Sequence, residues 1–402
     1  MDCVSGLNLR FWRVRRSLQL AKRLEEIAPF RVMELMARAN ELAALGHDVI
    51  HLEVGEPDFA TPAPIIEAAQ NGLQLGMTKY TDARGTLALR QAISTYYSNR
   101  FAVDVDPDRI FVTAGASGGL LLLIGLLVNA GENLLLADPG YPCNRHFLAS
   151  FEAEGRLVPV TASDNYQLTP KAIDYWWNDQ TRGILVATPA NPTGSVINVS
   201  DLALLHDSVR ARDGYFLVDE IYQGLSEQHA PSQSALSVSD DLFVINSFSK
   251  FFGMTGWRLG WVVVPEACSR DLEKLAQNLF ICPSAIAQHA ALAAFSESAL
   301  EIMEGQRLEF ARRRNFLVPA LRELGFDIPR DPEGAFYVYC GLPESVEDAE
   351  TFCRRLLETE FVAITPGTDF GFFEADQKVR ISFSRDMAEL EEAVERIARV
   401  LR

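Results

Sequence analysis

The sequence predicts an α/β protein in which a mainly parallel sheet lies between helices, accompanied by a smaller α+β domain. From about residue 108, short runs rich in Val, Ile, Leu and Phe alternate with amphipathic stretches, which is typical of a parallel sheet covered on both faces. After about residue 285 the chain changes to long helical stretches followed by three strand-like runs, AFYVYC, FVAITPG and VRISFS. A chain of 402 residues is long enough for one large core and a second, smaller one.

The order of these patterns divides the chain into four parts. Residues 1–23 form an Arg-rich leader without the continuous apolar stretch of a secretory signal. We favour a partly disordered leader or a surface helix there over a transit peptide or an over-extended start. We expect residues 24–62 to cross to the small domain, residues 63–285 to form the large domain, and residues 286–402 to form the small C-terminal domain.

Composition excludes several classes of function. A formal net charge of −17 argues against a nucleic-acid partner, because phosphate backbones are held by clustered Lys and Arg. The longest apolar run, LLLLIGLLV, is far shorter than the roughly 20 residues that cross a bilayer, so we predict a buried helix and no membrane span. The six cysteines show neither C-x-x-C spacing nor close His partners. We therefore expect no metal site, no disulfide framework and a reducing, cytoplasmic location.

The first candidate for chemistry is Lys250, which follows the apolar run LFVI in the segment NSFSKFFGMTGWR. In parallel sheets, ligands bind beyond the carboxyl ends of the strands, and desolvation there lowers the pKa of a lysine toward the neutral amine that forms a Schiff base. Ser247 and Arg258 flank it with a hydroxyl and a forked cation, which suit a phosphate dianion. The lysine alone is weak support, because most lysines are solvated surface charges.

Two further motifs supply groups that a pyridine cofactor needs. Asp219 follows YFLV directly, and a buried carboxylate there requires a cationic partner such as a protonated ring nitrogen. Asn191, held by the Pro-Thr-Gly turn of ATPANPTG, and Tyr222 can both donate to a phenolate oxygen. Taken singly, the aspartate is better explained by a helix cap than by catalysis, and the NPTG segment by an ordinary turn.

The segment VTAGASGG opens an apolar helix with small residues. Its free backbone N–H groups and Ser117 are suited to cradle a phosphate at the helix N-terminus. The segment lacks the Gly-Lys-Ser/Thr ending of a nucleotide P-loop, so ATP is not implied.

The joint order of VGEPDF, KYTDARG, VTAGASGG, DPGYP, NPTG, VDEIY, SFSKFFGMTGWRLGW and VRISFS resembles the class I aminotransferases among the fold type I enzymes that use pyridoxal 5′-phosphate (PLP). The resemblance extends from about residue 24 to the C-terminus. It implies a mainly parallel seven-stranded sheet, PLP as the cofactor and amino acids and 2-oxo acids as substrates.

The resemblance also implies roles for individual residues. Lys250 would be the Schiff-base lysine and proton shuttle, Asp219 the partner of the pyridine nitrogen, and Asn191 and Tyr222 the donors to the phenolate oxygen. Tyr141 of DPGYP would stack on the ring. The residues that would surround the phosphate are Ala116, Ser117, Ser247 and Arg258.

Substrate and subunit contacts follow from the same resemblance. Arg380 of VRISFS would bind the substrate α-carboxylate, and Gly55 would allow close approach of that carboxylate. Tyr80 would reach the phosphate in the neighbouring subunit, which implies a homodimer with shared active sites. Phe30 occupies a position near the substrate side chain and favours uncharged donors over aspartate, unless Arg31 turns inward.

The predicted function is ping-pong transamination between an L-amino acid and a 2-oxo acid. A PLP-dependent C–S β-lyase or another fold type I enzyme remains an alternative, because local contacts decide which bond the cofactor breaks. A non-catalytic regulator that senses PLP is a second alternative. It is disfavoured because about 23 residues before the matched region are too few for a winged-helix module, and because Lys250 is intact.

Overall fold

The fold is given by a computed structural model that describes residues 19–226 and 233–402. Of the predicted leader, residues 1–18 lie outside the described residues, and its last two residues begin a short 3-10 turn, Lys22–Glu26. The strands are β1 (Ile50–His51), β2 (Ile110–Thr113), β3 (Asn133–Asp138), β4 (Glu154–Pro159), β5 (Thr181–Ala187), β6 (Tyr215–Asp219), β7 (Phe243–Ser247), β8 (Gly260–Val263), β9 (Tyr337–Gly341), β10 (Val362–Ala363), β11 (Thr365–Pro366) and β12 (Lys378–Ser382). The helices are α1 (Arg31–Ala44), α2 (Ala63–Gln74), α3 (Leu87–Phe101), α4 (Gly115–Leu127), α5 (Cys143–Ser150), α6 (Pro170–Trp176), α7 (Val199–Arg210), α8 (Ser269–Leu279), α9 (Ala285–Leu292), α10 (Glu297–Glu323), α11 (Ala349–Glu360) and α12 (Met387–Leu401).

The large sheet has seven strands in the order β2-β8-β7-β6-β5-β3-β4. All neighbouring pairs are parallel except those of β8, which runs antiparallel to β2 and β7. This confirms the predicted mainly parallel α/β sheet. Successive residues of a strand enter opposite cores: Ile110 and Val112 pack in one apolar cluster and Phe111 in the other. The strand sequences are apolar throughout because helices cover both faces.

The C-terminal part contains a second, three-stranded antiparallel sheet in the order β11-β12-β9. Helix α12 packs on α10 and α11, and α1 packs on β10 and β11. Strand β1 pairs with β10, and Leu52 is hydrogen-bonded to Ala363 and Ser382. Helix α9 packs instead on α2 and α3. The proposed domain boundaries stay a prediction, but these contacts tie the N-terminal segment to the C-terminal part.

The run LLLLIGLLV lies largely in α4, which packs against β7, β8, α5 and α8. In residues 19–226 and 233–402, no helix is both long and apolar enough to cross a membrane. The same ranges contain no cluster of three side chains that could hold a metal ion. Of the cysteines, Cys143, Cys268, Cys282, Cys340 and Cys353 are described and carry free thiols.

Candidate active site

A cavity of about 370 Å³ lies where the carboxyl ends of β6 and β7 and the start of α4 meet the N-terminal segment and β12. Its volume falls within the range of small-molecule sites. Eleven of the thirteen residues predicted from the sequence line it, and they are Phe30, Gly55, Ala116, Ser117, Tyr141, Asn191, Asp219, Tyr222, Lys250, Arg258 and Arg380. The two that do not line it are Tyr80 and Ser247.

Lys250 lies three residues beyond the end of β7, and its Nζ donates a hydrogen bond to the carbonyl oxygen of Gly55 at 2.5 Å. Burial lowers the pKa of this amine to about 8, and the nearby Glu56 carboxylate partly opposes that shift. The neutral, nucleophilic amine is therefore far more populated near neutral pH than in a solvated lysine.

Asp219 is the last residue of β6, where the buried strand delivers its carboxylate to the cavity. Burial raises the pKa of this group to about 6, although a hydrogen bond from the Ile221 N–H at 3.0 Å opposes the shift. It forms no salt bridge within the described ranges of the chain. At neutral pH it is thus a buried carboxylate suited to a cationic ligand atom.

The part of the cavity at the start of α4 is suited to a phosphate. Helix α4 begins at Gly115 without a side-chain cap, so its first N–H groups are available to an anion. Gly115 has φ +70°, and a Cβ there would lie 2.7 Å from Nη2 of Arg258. The glycine therefore lets the Arg258 guanidinium approach the helix start.

Ser247, predicted to contact the phosphate, does not line the cavity in this structure, and its contact with the phosphate stays a prediction. Its hydroxyl lies 2.8 Å from Oγ of Ser249 and 3.1 Å from the carbonyl oxygen of Leu259, and it accepts a hydrogen bond from the Ser249 N–H. The side chain is thus used within the turn that carries Lys250. Ser249 and Thr255, which the sequence argument missed, line the cavity instead.

Arg380 extends from β12 into the cavity and is 2% exposed. Its Nη1 donates to Oδ1 of Asn191 at 2.9 Å, and its Nη2 donates to the carbonyl oxygen of Glu53. No carboxylate of the described residues forms a salt bridge with it, and its Nε has no hydrogen-bond partner. A buried guanidinium with an unused donor is suited to bind a carboxylate.

Tyr337 is a site residue that the sequence argument did not identify. Its hydroxyl lies 2.7 Å from that of Tyr222, and its ring centroid lies 4.4 Å from Cζ of Arg380. A Cβ at Gly55 would lie 1.9 Å from the Tyr337 hydroxyl oxygen. This contact gives Gly55 a reason to lack a side chain that is separate from any substrate. The run AFYVYC indicated a strand, but nothing in it singled out this tyrosine.

Apolar side chains at and just before the start of α1 form one part of the cavity wall. Phe30 packs edge-on against Tyr141 with ring centroids 6.3 Å apart, and Val32, Met33 and Leu120 also line the cavity. Arg31, which would have supplied a cation by turning inward, instead pairs with Glu350 at 3.1 Å, and its side chain is half exposed.

Tyr80 lies on the loop between α2 and α3 and is 82% exposed. The backbone nitrogen of the next residue, Thr81, lies 3.5 Å from Sγ of Cys282, so this loop contacts the segment that follows α8. Its contact with a neighbouring subunit stays a prediction.

Comparison with known proteins identifies the family. The family described as "Aminotransferase class I and II" matches residues 47–397. The valine–pyruvate aminotransferase of Mycobacterium tuberculosis is 38% identical over 372 residues, which cover 92% of this chain and 96% of that protein. The aspartate aminotransferase of Thermotoga maritima is 34% identical over 385 residues, which cover 94% of this chain and 98% of that one.

Solved structures agree with the sequence comparison. An aminotransferase from Mycobacterium tuberculosis superposes with a TM-score of 0.92 at 37% identity, covering 95% of this chain and 99% of that one. The aspartate aminotransferase of Thermus thermophilus with maleate gives a TM-score of 0.90 at 30% identity, again covering 95% and 99%. With the family match spanning most of its length and relatives well above 30% identity, this chain belongs to the class I and II aminotransferases, which are PLP-dependent transaminases.

Proposed function

We propose that this transaminase uses neutral, apolar amino acids as donors in preference to aspartate. The observation that carries the proposal is the distribution of charge in the cavity, whose lining cations are Lys250, Arg258 and Arg380. The first two suit the cofactor and the third suits the α-carboxylate, so within residues 19–226 and 233–402 no further cation lines the cavity for a distal carboxylate. Desolvating an uncompensated carboxylate is costly.

The part of the cavity that would hold the substrate side chain supports the same preference. Phe30, Val32 and Met33 present apolar surface there, and Arg31 is held away by Glu350. Ser117, at the start of α4, contributes a hydroxyl and no charge to the cavity lining. Relatives with both preferences exist, because one is named a valine–pyruvate aminotransferase and another an aspartate aminotransferase. The names of the relatives therefore do not decide the donor, and the proposal rests on the residues of the cavity wall.

The residues present fit PLP. The uncapped start of α4, with Arg258 against Gly115, suits its phosphate, and Asp219 suits its protonated ring nitrogen. Lys250 supplies the amine that attaches its aldehyde carbon. When bound, PLP supplies an electron sink for the electrons of the broken Cα–H bond.

The remaining steps belong to the chain's own side chains. Arg380 holds the substrate α-carboxylate and so orients Cα, and Lys250, with its pKa lowered to about 8, moves the Cα proton as general acid and base. The Asn191 oxygen already accepts from Arg380, so its NH₂ group would be the donor to the ring oxygen of the cofactor. Tyr222 donates to the same oxygen.

We also propose a cytoplasmic homodimer in which Tyr80 serves the partner's site. Exposed large side chains lie on the two segments that meet at Thr81 and Cys282. We define them as the dimer patch, which consists of Leu75, Met77, Tyr80, Leu279 and Ile281. Exposed apolar patches of this kind mark interfaces in soluble proteins. The free thiols are consistent with a reducing compartment.

Steady-state kinetics test the substrate proposal. We expect kcat/KM for leucine, phenylalanine or alanine to exceed that for aspartate when 2-oxoglutarate is the acceptor. Pyruvate as a second acceptor controls for limits imposed by the acceptor. Aspartate as the best donor with both acceptors would contradict the proposal.

A further inference from the structure

Tyr337 contacts three parts of the site at once. It is 1% exposed and begins β9, where it pairs with Ser382 of β12, two residues beyond Arg380. Its hydroxyl meets the hydroxyl of Tyr222, its ring lies against Arg380, and its oxygen fills the space above Gly55. No role proposed above uses this residue.

The ring of Tyr337 fixes the Arg380 guanidinium from one face. Cζ of Arg380 lies 4.4 Å from the Tyr337 centroid and 4.6 Å from that of Phe370. A cation held between two ring faces gains from both quadrupoles while its edge stays free. This arrangement directs the donors of Arg380 along its plane, toward Asn191 and the cavity.

The hydrogen bond between the hydroxyls of Tyr222 and Tyr337 takes one direction if Tyr222 also donates to the cofactor. Burial raises the pKa of both Tyr222 and Tyr337, so both hydroxyls keep their protons at neutral pH. Each tyrosine then has one proton to donate. If Tyr222 donates to the cofactor ring oxygen, it has no proton left for Tyr337 and must accept from it.

We propose that Tyr337 is a positioning residue with two separable functions: its ring holds Arg380 for the substrate carboxylate, and its hydroxyl donates to Tyr222 and so directs Tyr222 toward the cofactor. The inference rests on the proposed role of Tyr222. Chained donors strengthen one another, so loss of the Tyr337 hydroxyl weakens stabilisation of negative charge on the ring oxygen. The cofactor then keeps its titrating proton to a higher pH.

Two substitutions separate these functions in the PLP-loaded enzyme. Tyr337→Phe keeps the ring and removes the hydroxyl; we expect the pH midpoint of the visible absorbance band to rise by up to about one unit, with KM values within about twofold of wild type. Tyr337→Leu removes both groups. It should show the same rise and also raise KM for amino donor and 2-oxo acid together, by about three- to tenfold.

Tyr339→Phe is the matched control. Tyr339 lies on the same strand, and its buried hydroxyl has no hydrogen-bond partner among the residues that the structure describes, so this change should leave both the midpoint and KM unchanged. An unchanged midpoint in Tyr337→Phe, with PLP content and melting temperature as in wild type, would overturn the inference. Tyr222→Phe distinguishes failure of the Tyr337 inference from failure of the proposed role of Tyr222. If Tyr222→Phe also leaves the midpoint unchanged, the proposed role of Tyr222 fails. If only Tyr222→Phe moves it, the role of Tyr337 alone fails.

Discussion

At the scale of single residues, the site depends on charged groups placed in unfavourable surroundings. Lys250 and Asp219 follow adjacent buried strands, and burial moves the pKa of the lysine down to about 8 and that of the aspartate up to about 6. Between about pH 6 and pH 8 the lysine stays mainly protonated and the aspartate mainly ionised, as both are in water. Burying these two charges costs the fold free energy. A ligand that reacts with the amine and pairs with the carboxylate removes part of that cost.

Lys250→Ala should abolish both transamination and the visible absorbance band that borohydride removes, because the amine that attaches PLP is lost. Lys274→Ala is the control, since Lys274 is exposed and pairs with the neighbouring Asp271 on α8. In wild type, the rate of PLP attachment to cofactor-free enzyme should rise with pH up to about 8 and then level, as the neutral amine becomes the main form. Substantial activity in Lys250→Ala would contradict the mechanism.

Ser117→Lys should raise kcat/KM for aspartate relative to leucine, because it adds to the cavity wall the cation that a distal carboxylate requires. Ser298→Lys adds the same charge on an exposed turn of α10 and serves as the control. The ratio of the two kcat/KM values is the measurement. An unchanged ratio in a PLP-loaded Ser117→Lys enzyme would show that charge at this wall does not set donor preference.

At the scale of secondary-structure elements, the geometry at the start of α4 decides the fit of the phosphate. The strand-to-helix connection turns through Gly115 in the left-handed region at φ +70°, and Arg258 lies against it, also at positive φ. The helix N-terminus and the guanidinium thereby converge on one point of the cavity. The anion preference of this point arises from the helix start and the guanidinium together and not from either one alone.

Gly115→Ala should weaken PLP binding by about five- to thirtyfold, because the left-handed backbone disfavours a Cβ by roughly 1–2 kcal/mol and the new carbon meets Arg258. Gly256→Ala is the matched control in the segment before Arg258, since a Cβ there would meet nothing within 4 Å. Titration of cofactor-free protein with PLP, followed by absorbance, gives the two dissociation constants. Equal constants for both variants would argue against the phosphate assignment.

At the scale of the whole molecule, the dimer patch brings together side chains from the α2–α3 region and the end of α8. Thr81 and Cys282 contact each other across these two segments. Because the patch is built by the fold, its apolar character is not evident in either segment alone.

We expect the protein to sediment at twice the mass of one chain, and Ile281→Glu to shift it toward monomer by placing a charge in the dimer patch. Leu204→Glu, on the exposed face of α7, should leave the mass unchanged. Activity should fall with the dimer fraction if Tyr80 serves the partner's site. A wild-type monomer with full activity would rule out shared sites.

The sequence by itself determined the fold class, the family and most of the site, because those features follow from local order. Apolar runs define buried strands, and the residues just beyond them, such as Lys250, Asp219 and Asn191, meet at one edge of a parallel sheet. Only the tertiary structure decided which side chains face the cavity. Ser249 lines the wall, whereas Ser247 is hydrogen-bonded within its own turn. Arg31 pairs outward with Glu350, and Tyr337 comes from a strand 115 residues beyond Tyr222. These outcomes depend on contacts between segments far apart in the chain, which no local pattern encodes.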